Sequence, residues 1–144
     1  MILRRFTAAD ADPLARLHGD PAVMRYVDPP ESRAVVESST LPATSTGLDP
    51  GDVELGYRLL PSYWGRGLAT TGARLLVRRA FAELDVPKVV ATTMAVNTDS
   101  RRVLEKAGLR HVHTFHADWP DPLPGAEHGD VVYALTRSEW LQAK

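Results

Sequence analysis

The feature that most constrains this chain is the order strand, glycine turn, helix, apolar strand between Val53 and Val96. Val53 to Leu60 alternates well enough for a half-buried strand, with Gly56 in its interior. A glycine there marks a bulge or a close backbone approach. Pro61-Ser62-Tyr63-Trp64-Gly65-Arg66-Gly67 then turns the chain. From Leu68 to about Leu84, the residues Ala69, Ala73, Leu76, Ala80 and Leu84 recur every three or four positions, which predicts a helix with one buried stripe. Val86-Pro87 ends it. Val89 to Val96 is β-branched and nearly all apolar, as expected of a strand covered on both faces and paired in parallel. Strand, helix and parallel strand make a crossover unit, so this stretch predicts an α/β core.

The flanks are weaker in pattern. Ile2 to Phe6 reads as a short strand. Ala8 to His18 reads as a helix, with Leu14 and Leu17 on one face and Pro13 in the first turn. Pro21 to Tyr26 predicts a further helical turn, and Glu31 to Ser38 is helical again after Pro29-Pro30. Thr40 to Asp52 is rich in turn formers and reads as a loop. Beyond the crossover, Asn97 to Lys106 predicts a helix with Asn97 or Thr98 as cap and Gly108 as stop. Val112 to Phe115 and Val131 to Leu135 are short strands, separated by a proline- and glycine-bearing loop, Asp118 to Asp130. Thr136 with Glu139 three residues on is a capping box for a terminal helix.

The 144 residues suit one domain with one core. Net charge is −1 with arginines scattered among acids, so no basic face points to nucleic acid. The absence of cysteine removes disulfides and thiolate chemistry, and fits a reducing cytoplasm. Met1 to Phe6 is too short an apolar run for a signal peptide, and no stretch approaches the roughly 18 apolar residues of a membrane span. His111, His113 and His116 lack the spacing of a helix-face pair. On a strand, His111 and His113 would share a face and His116 would take the other, so no metal site is expected. Trp119 and Trp140 read as packing anchors.

The turn carries the chemistry. Trp64-Gly65-Arg66-Gly67-Leu68-Ala69-Thr70 places two glycines at the first turn of a helix, where backbone N–H groups lack partners and the dipole is positive. A pyrophosphate suits such a place, with Arg66 adding charge. A plain tight turn explains the same glycines. No Lys-Ser or Lys-Thr follows, which excludes a P-loop. Gly65-x-Gly67-x-x-Thr70 only approximates a dinucleotide fingerprint, although Asp99 keeps that reading open.

The same turn resembles the acetyl-CoA pyrophosphate loop of the GCN5-related N-acetyltransferase (GNAT) superfamily, in the version found in enzymes that acetylate ribosomal-protein N-termini. Glu54-Leu55-Gly56-Tyr57, Val96-Asn97-x-x-Ser100, Leu104-Glu105-Lys106-Ala107-Gly108-Leu109 and Arg4-Arg5-Phe6-Thr7 with Asp10 resemble other segments of that family, in order and spacing. The likeness is dense from Val53 to Leu109 and looser elsewhere.

The resemblance implies a single mixed-sheet domain flanked by helices. Residues 1–52 would form a reduced acceptor half and residues 53–144 an acetyl-CoA-binding half. It implies acetyl transfer from acetyl-CoA to a primary amine, of a peptide terminus or a small molecule, by direct attack and without a metal. The pyrophosphate would lie on Trp64 to Thr70. The pantetheine arm would run between Val53–Leu60 and Val89–Val96, bonded by Asn97. Glu54 would be the base, acting through water, and Ser100 would stand near the sulfur. An exposed strand carboxylate, a helix cap and a first-turn serine are the plain alternatives for Glu54, Asn97 and Ser100. Where many relatives carry a tyrosine this chain has Leu104, which removes the usual acid.

Between the early helices and Glu54 the family has a β-hairpin, and Thr40 to Asp52 is too short for one. The second and third strands are therefore expected to be missing. Ile2 to Phe6 would then lie antiparallel beside Val53–Leu60; failing that, the bare edge would favour a homodimer. A degenerate module that binds acetyl-CoA without turnover is the second reading.

Overall fold

The structure, a computed structural model, describes residues 4–5, 7–26, 49–118 and 122–143. A 3-10 turn at Ala8–Asp10 leads into helix α1 (Ala11–His18). Asp10 accepts the Thr7 backbone N–H at 2.7 Å and is forked by Arg4 at 2.7 and 2.8 Å. Those bonds hold its carboxyl well below the usual carboxylate range. The further turn expected near Pro21 is a 3-10 turn, Val23–Tyr26, which buries Met24.

The crossover follows as β1 (Val53–Glu54), α2 (Leu68–Ala82) and β2 (Lys88–Met94). Helix α3 (Thr98–Lys106), strands β3 (Arg110–Phe115) and β4 (Asp130–Thr136), and helix α4 (Arg137–Gln142) complete it. The four strands form one mixed sheet in the order β1-β2-β4-β3. β1 is parallel to β2, and β4 is antiparallel to both β2 and β3. The domain is thus α/β with a mixed sheet flanked by helices.

One face of the sheet holds the core. Val89 and Ala91 of β2 and Val131, Tyr133 and Leu135 of β4 pack there against Ala73, Val77, Ala80 and Phe81 of α2 and Leu104 of α3. Trp140 is a packing anchor as expected: its ring stacks on Phe81 at 5.3 Å. The capping box forms too, with Thr136 Oγ1 donating to Glu139 at 2.8 Å and accepting from the Glu139 N–H at 3.2 Å.

Three expectations need correction. The strand expected over Val53–Leu60 ends at Glu54, and its last ladder bond is Leu55 N–H to Val90 C=O at 2.7 Å. Gly56 therefore marks a departure from the sheet, not a bulge within it. The buried stripe of α2 runs through Val77 and Phe81, while Leu76 and Leu84 are 38% and 60% exposed. Phe81 sets the helix rotation because it fills the core with no exposure at all, and the helix stops before Leu84. Finally, a register shift between His111 and His113 breaks the alternation of β3. His111 sits opposite core-facing Tyr133, edge-on to its ring at 5.7 Å, whereas His113 sits opposite Val132 on the other face.

The expected strand Ile2–Phe6 and its pairing, the helix Glu31–Ser38, most of Thr40–Asp52 with the missing hairpin, and Trp119 lie outside the described residues. Asp49–Asp52 is a turn, tied to the start of β2 by Lys88 Nζ at 3.3 Å from Asp49 and 3.2 Å from Asp52. Among the described residues, no helix is long and apolar enough to cross a membrane.

Candidate functional site

The start of α2 is built by its glycines. Gly65 and Gly67 have φ of +74° and +71°, a left-handed region that favours residues without a Cβ. Gly67 occupies the N-cap position and offers no side chain to the helix, and its carbonyl accepts the first helical bond from Thr71 at 3.0 Å. The N–H groups of Leu68, Ala69 and Thr70 precede that bond and are left over by helix geometry. A Cβ built at Gly65 or Gly67 meets no atom within 4 Å. The helix start is open ground, with its dipole and donors aimed into it.

The loop leading there is fastened from below. Trp64 Nε1 donates to the Leu59 carbonyl at 2.9 Å, and the Arg66 guanidinium lies 5.7 Å from the centre of the Tyr63 ring. Trp64 and Arg66 are exposed, and Leu68, Ala69 and Thr70 are half-buried. All seven expected pyrophosphate residues therefore share one loop and helix turn.

Beside it the sheet opens. The Val90 carbonyl faces β1, and strand geometry turns the peptide groups of Thr92 and Met94 to that same edge. After Leu55 the chain has left β2, so a gap bordered by backbone donors and acceptors lies between them.

A cluster on one face and a single carboxylate on the other flank this gap. On the core side, Asn97 caps α3, its Oδ1 accepting from Ser100 N–H at 3.2 Å. Ser100 in turn meets Tyr57, whose hydroxyl is 2.9 Å from both the Ser100 carbonyl and Oγ. Burial pushes the Tyr57 phenol up, partly opposed by its bond to Ser100. The sequence reading missed Tyr57 as a site residue. Its signal was the alternation Val53, Leu55, Tyr57, which turns a hydroxyl inward where it needs a partner. Leu104, one turn beyond Ser100, is 1% exposed and belongs to the core. On the other face, Glu54 is exposed and makes no hydrogen bond or ion pair among the described residues. The structure thus brings Asn97 and Ser100 together and sets Glu54 across the sheet from them.

The histidines do not join this site, and no three His, Asp or Glu side chains converge as metal ligands among the described residues. An open cavity of about 290 Å³ lies on the face of the sheet away from the core, between Lys88, Val90, Arg110, His113, Val132 and Glu139, and shares no lining residue with the helix start.

Fold and site together define a class: a mixed-sheet α/β domain with an open, uncapped helix start beside a parting of parallel strands. The acetyltransferase (GNAT) domain family matches residues 38–110, just over half of the chain, and the chain belongs to that family. It is 47% identical over 89 residues to the "FsC-acetyl coenzyme A-N(2)-transacetylase" of Aspergillus fumigatus, covering 62% of this chain and 38% of that protein. It is 31% identical over 88 residues to "Uncharacterized N-acetyltransferase YnaD" of Bacillus subtilis, covering 60% of this chain and 50% of that one. The chain thus spans half or less of the length of these relatives. The spermidine N-acetyltransferase of Vibrio cholerae, solved with CoA and spermine, superposes with a TM-score of 0.71 over 96% of both chains. At 15% identity that likeness speaks for the fold alone.

Proposed function

We propose that this domain binds acetyl-CoA and transfers its acetyl group to a primary amine. The observation that carries the reading is the uncapped start of α2, open beside the gap between β1 and β2. Amides from Gly65 to Thr70, with Arg66, hold the pyrophosphate. The pantetheine arm enters the gap and pairs with the free edge of β2 and with the Asn97 amide. Residues 53–144 supply this cofactor half, and residues 1–52 contribute to the acceptor side.

The two faces of the sheet divide the chemistry. The acceptor amine approaches from the face of Glu54, which takes its proton through water. The amine attacks the thioester carbonyl directly, and the tetrahedral intermediate expels CoA thiolate on the side of Ser100. Tyr57, whose phenol donates to the Ser100 carbonyl, fixes that residue, and the Ser100 hydroxyl turns from Tyr57 to donate to the sulfur, the part that buried Leu104 lacks the chemistry to play. The loop Trp64 to Ala69 favours the group that acetylates ribosomal-protein N-termini, so a peptide α-amine heads the acceptors to be tried, in a cytoplasmic setting. Small amines follow, in line with the spermidine N-acetyltransferase that shares the fold.

Thiol release is the test. Purified protein with acetyl-CoA and a panel of peptide and polyamine acceptors should release CoA faster than buffer. Calorimetric binding of acetyl-CoA without release for any amine would leave a binding module in place of a transferase.

A further inference from the structure

Thr92 carries a feature that the proposed transfer does not yet use. Its Oγ1 is buried and has no hydrogen-bond partner, alone in this among the described side-chain polar atoms. A shielded hydroxyl without a partner is costly, and native proteins keep few of them. Thr92 lies opposite Val132 and two residues beyond Val90, the strand partner of Glu54. Glu54, Val90 and Thr92 therefore share one face of the sheet, away from the core. Thr92 is also the first residue on the β1-facing edge of β2 after the Leu55–Val90 bond that closes the ladder. Thr92 thus lies beside the gap, diagonal to Glu54 across neighbouring strands. The residue as a whole is half-buried, whereas its Oγ1 is shielded from solvent, so an acceptor must displace what covers that oxygen.

We propose that Thr92 is an acceptor-binding residue: its Oγ1 accepts a hydrogen bond from one N–H of the incoming amine and so aims the nitrogen at the thioester carbonyl. This rests on the transfer reading given above. A second N–H of the amine is left for the water that leads to Glu54. No bond to Thr92 forms or breaks in the reaction, and the hydroxyl keeps its own proton throughout. The orphaned oxygen gains its partner when the acceptor arrives, so the free-energy cost carried by the empty protein is returned on binding and favours amines over solvent.

The test uses Thr92→Val, which replaces the hydroxyl by a methyl group of the same shape, and Thr92→Ser, which keeps the hydroxyl. A tetrapeptide with a free α-amine and spermine serve as acceptor probes. With the better of the two, Thr92→Val is expected to raise the acceptor KM or lower kcat/KM about tenfold, with the KM for acetyl-CoA unchanged. Its melting temperature should equal or exceed that of wild type, because an unpaired buried hydroxyl has been removed. Thr92→Ser should recover most of the loss. Activity in Thr92→Val equal to wild type, or a loss that Thr92→Ser does not reverse, overturns the proposal. A wild-type protein that releases no thiol with either probe overturns the transfer reading itself, and this assignment with it.

Discussion

Gly67 separates the demands of the backbone from those of the ligand. Its φ of +71° costs an L residue about 1–2 kcal/mol, while the Cβ position itself meets no protein atom within 4 Å. Gly67→Ala should therefore fold and lose about 1 kcal/mol, or roughly 3 °C in melting temperature for a domain of this size. In the proposed binding mode, the same Cβ enters the space that the pyrophosphate would occupy to reach the amides of Leu68 to Thr70. Displacing the anion from one such charge-assisted bond costs about 2 kcal/mol, or about thirtyfold in Kd. Gly67→Asn is the control, because asparagine enters the left-handed region more readily than alanine. It should be the more stable of the two variants, yet bind acetyl-CoA no better. Calorimetric titration with acetyl-CoA gives the affinity, and urea unfolding gives the stability. Affinity that follows stability, with Gly67→Asn binding like wild type, would refute the placement of the diphosphate at this helix start.

Other outcomes follow from the same geometry. Glu54→Gln should lower kcat about a hundredfold in the thiol-release assay and leave acetyl-CoA affinity unaltered; an unchanged rate removes Glu54 from the proton path. Asn97→Asp keeps an oxygen for the Ser100 N–H but loses the amide donors, so stability should hold while acetyl-CoA binding weakens; equal affinity would show that Asn97 is a cap and nothing more. Glu139 is held below the usual glutamate range by the Thr136 hydroxyl and then by the Thr136 N–H, with Arg110 adding a smaller pull. Its folded form thus binds a proton less readily than the unfolded chain, so its contribution is whole above the glutamate value of 4.5 and is lost as pH falls below it. Urea unfolding at descending pH should show wild type losing more stability than Glu139→Gln across that window; parallel curves would refute the assignment.

What the sequence made legible was local. The capping box at Thr136 and Glu139, the Asn97 cap and the glycine turn at Gly65 and Gly67 each depend on residues within a few positions of one another. The parallel crossover was legible because Val89 to Val96 needs cover on both faces whatever surrounds it. The failures lie where distant residues decide. β1 is short because its ladder has only Val53 and Glu54 to pair with β2, and nothing in the alternation from Leu55 to Leu60 reveals that departure. The rotation of α2 is chosen by Phe81 meeting Trp140, a partner 59 positions away in sequence. The bulge at Val112 moves His113 to the other face because β4 fixes the register. Tyr57 and Ser100 are 43 residues apart, so their shared bond had no local trace.

The two ladders of β2 are very unequal. Seven residue pairs fasten it to β4, but two fasten it to β1. Thermal breathing will therefore part the sheet along its β1 seam long before it disturbs the other. The pantetheine arm of the proposed complex would need to loosen only a short hem, while Tyr133, Phe81 and their neighbours stay packed. The entrance is adjustable because so little stitching holds it, and the frame behind it keeps its shape.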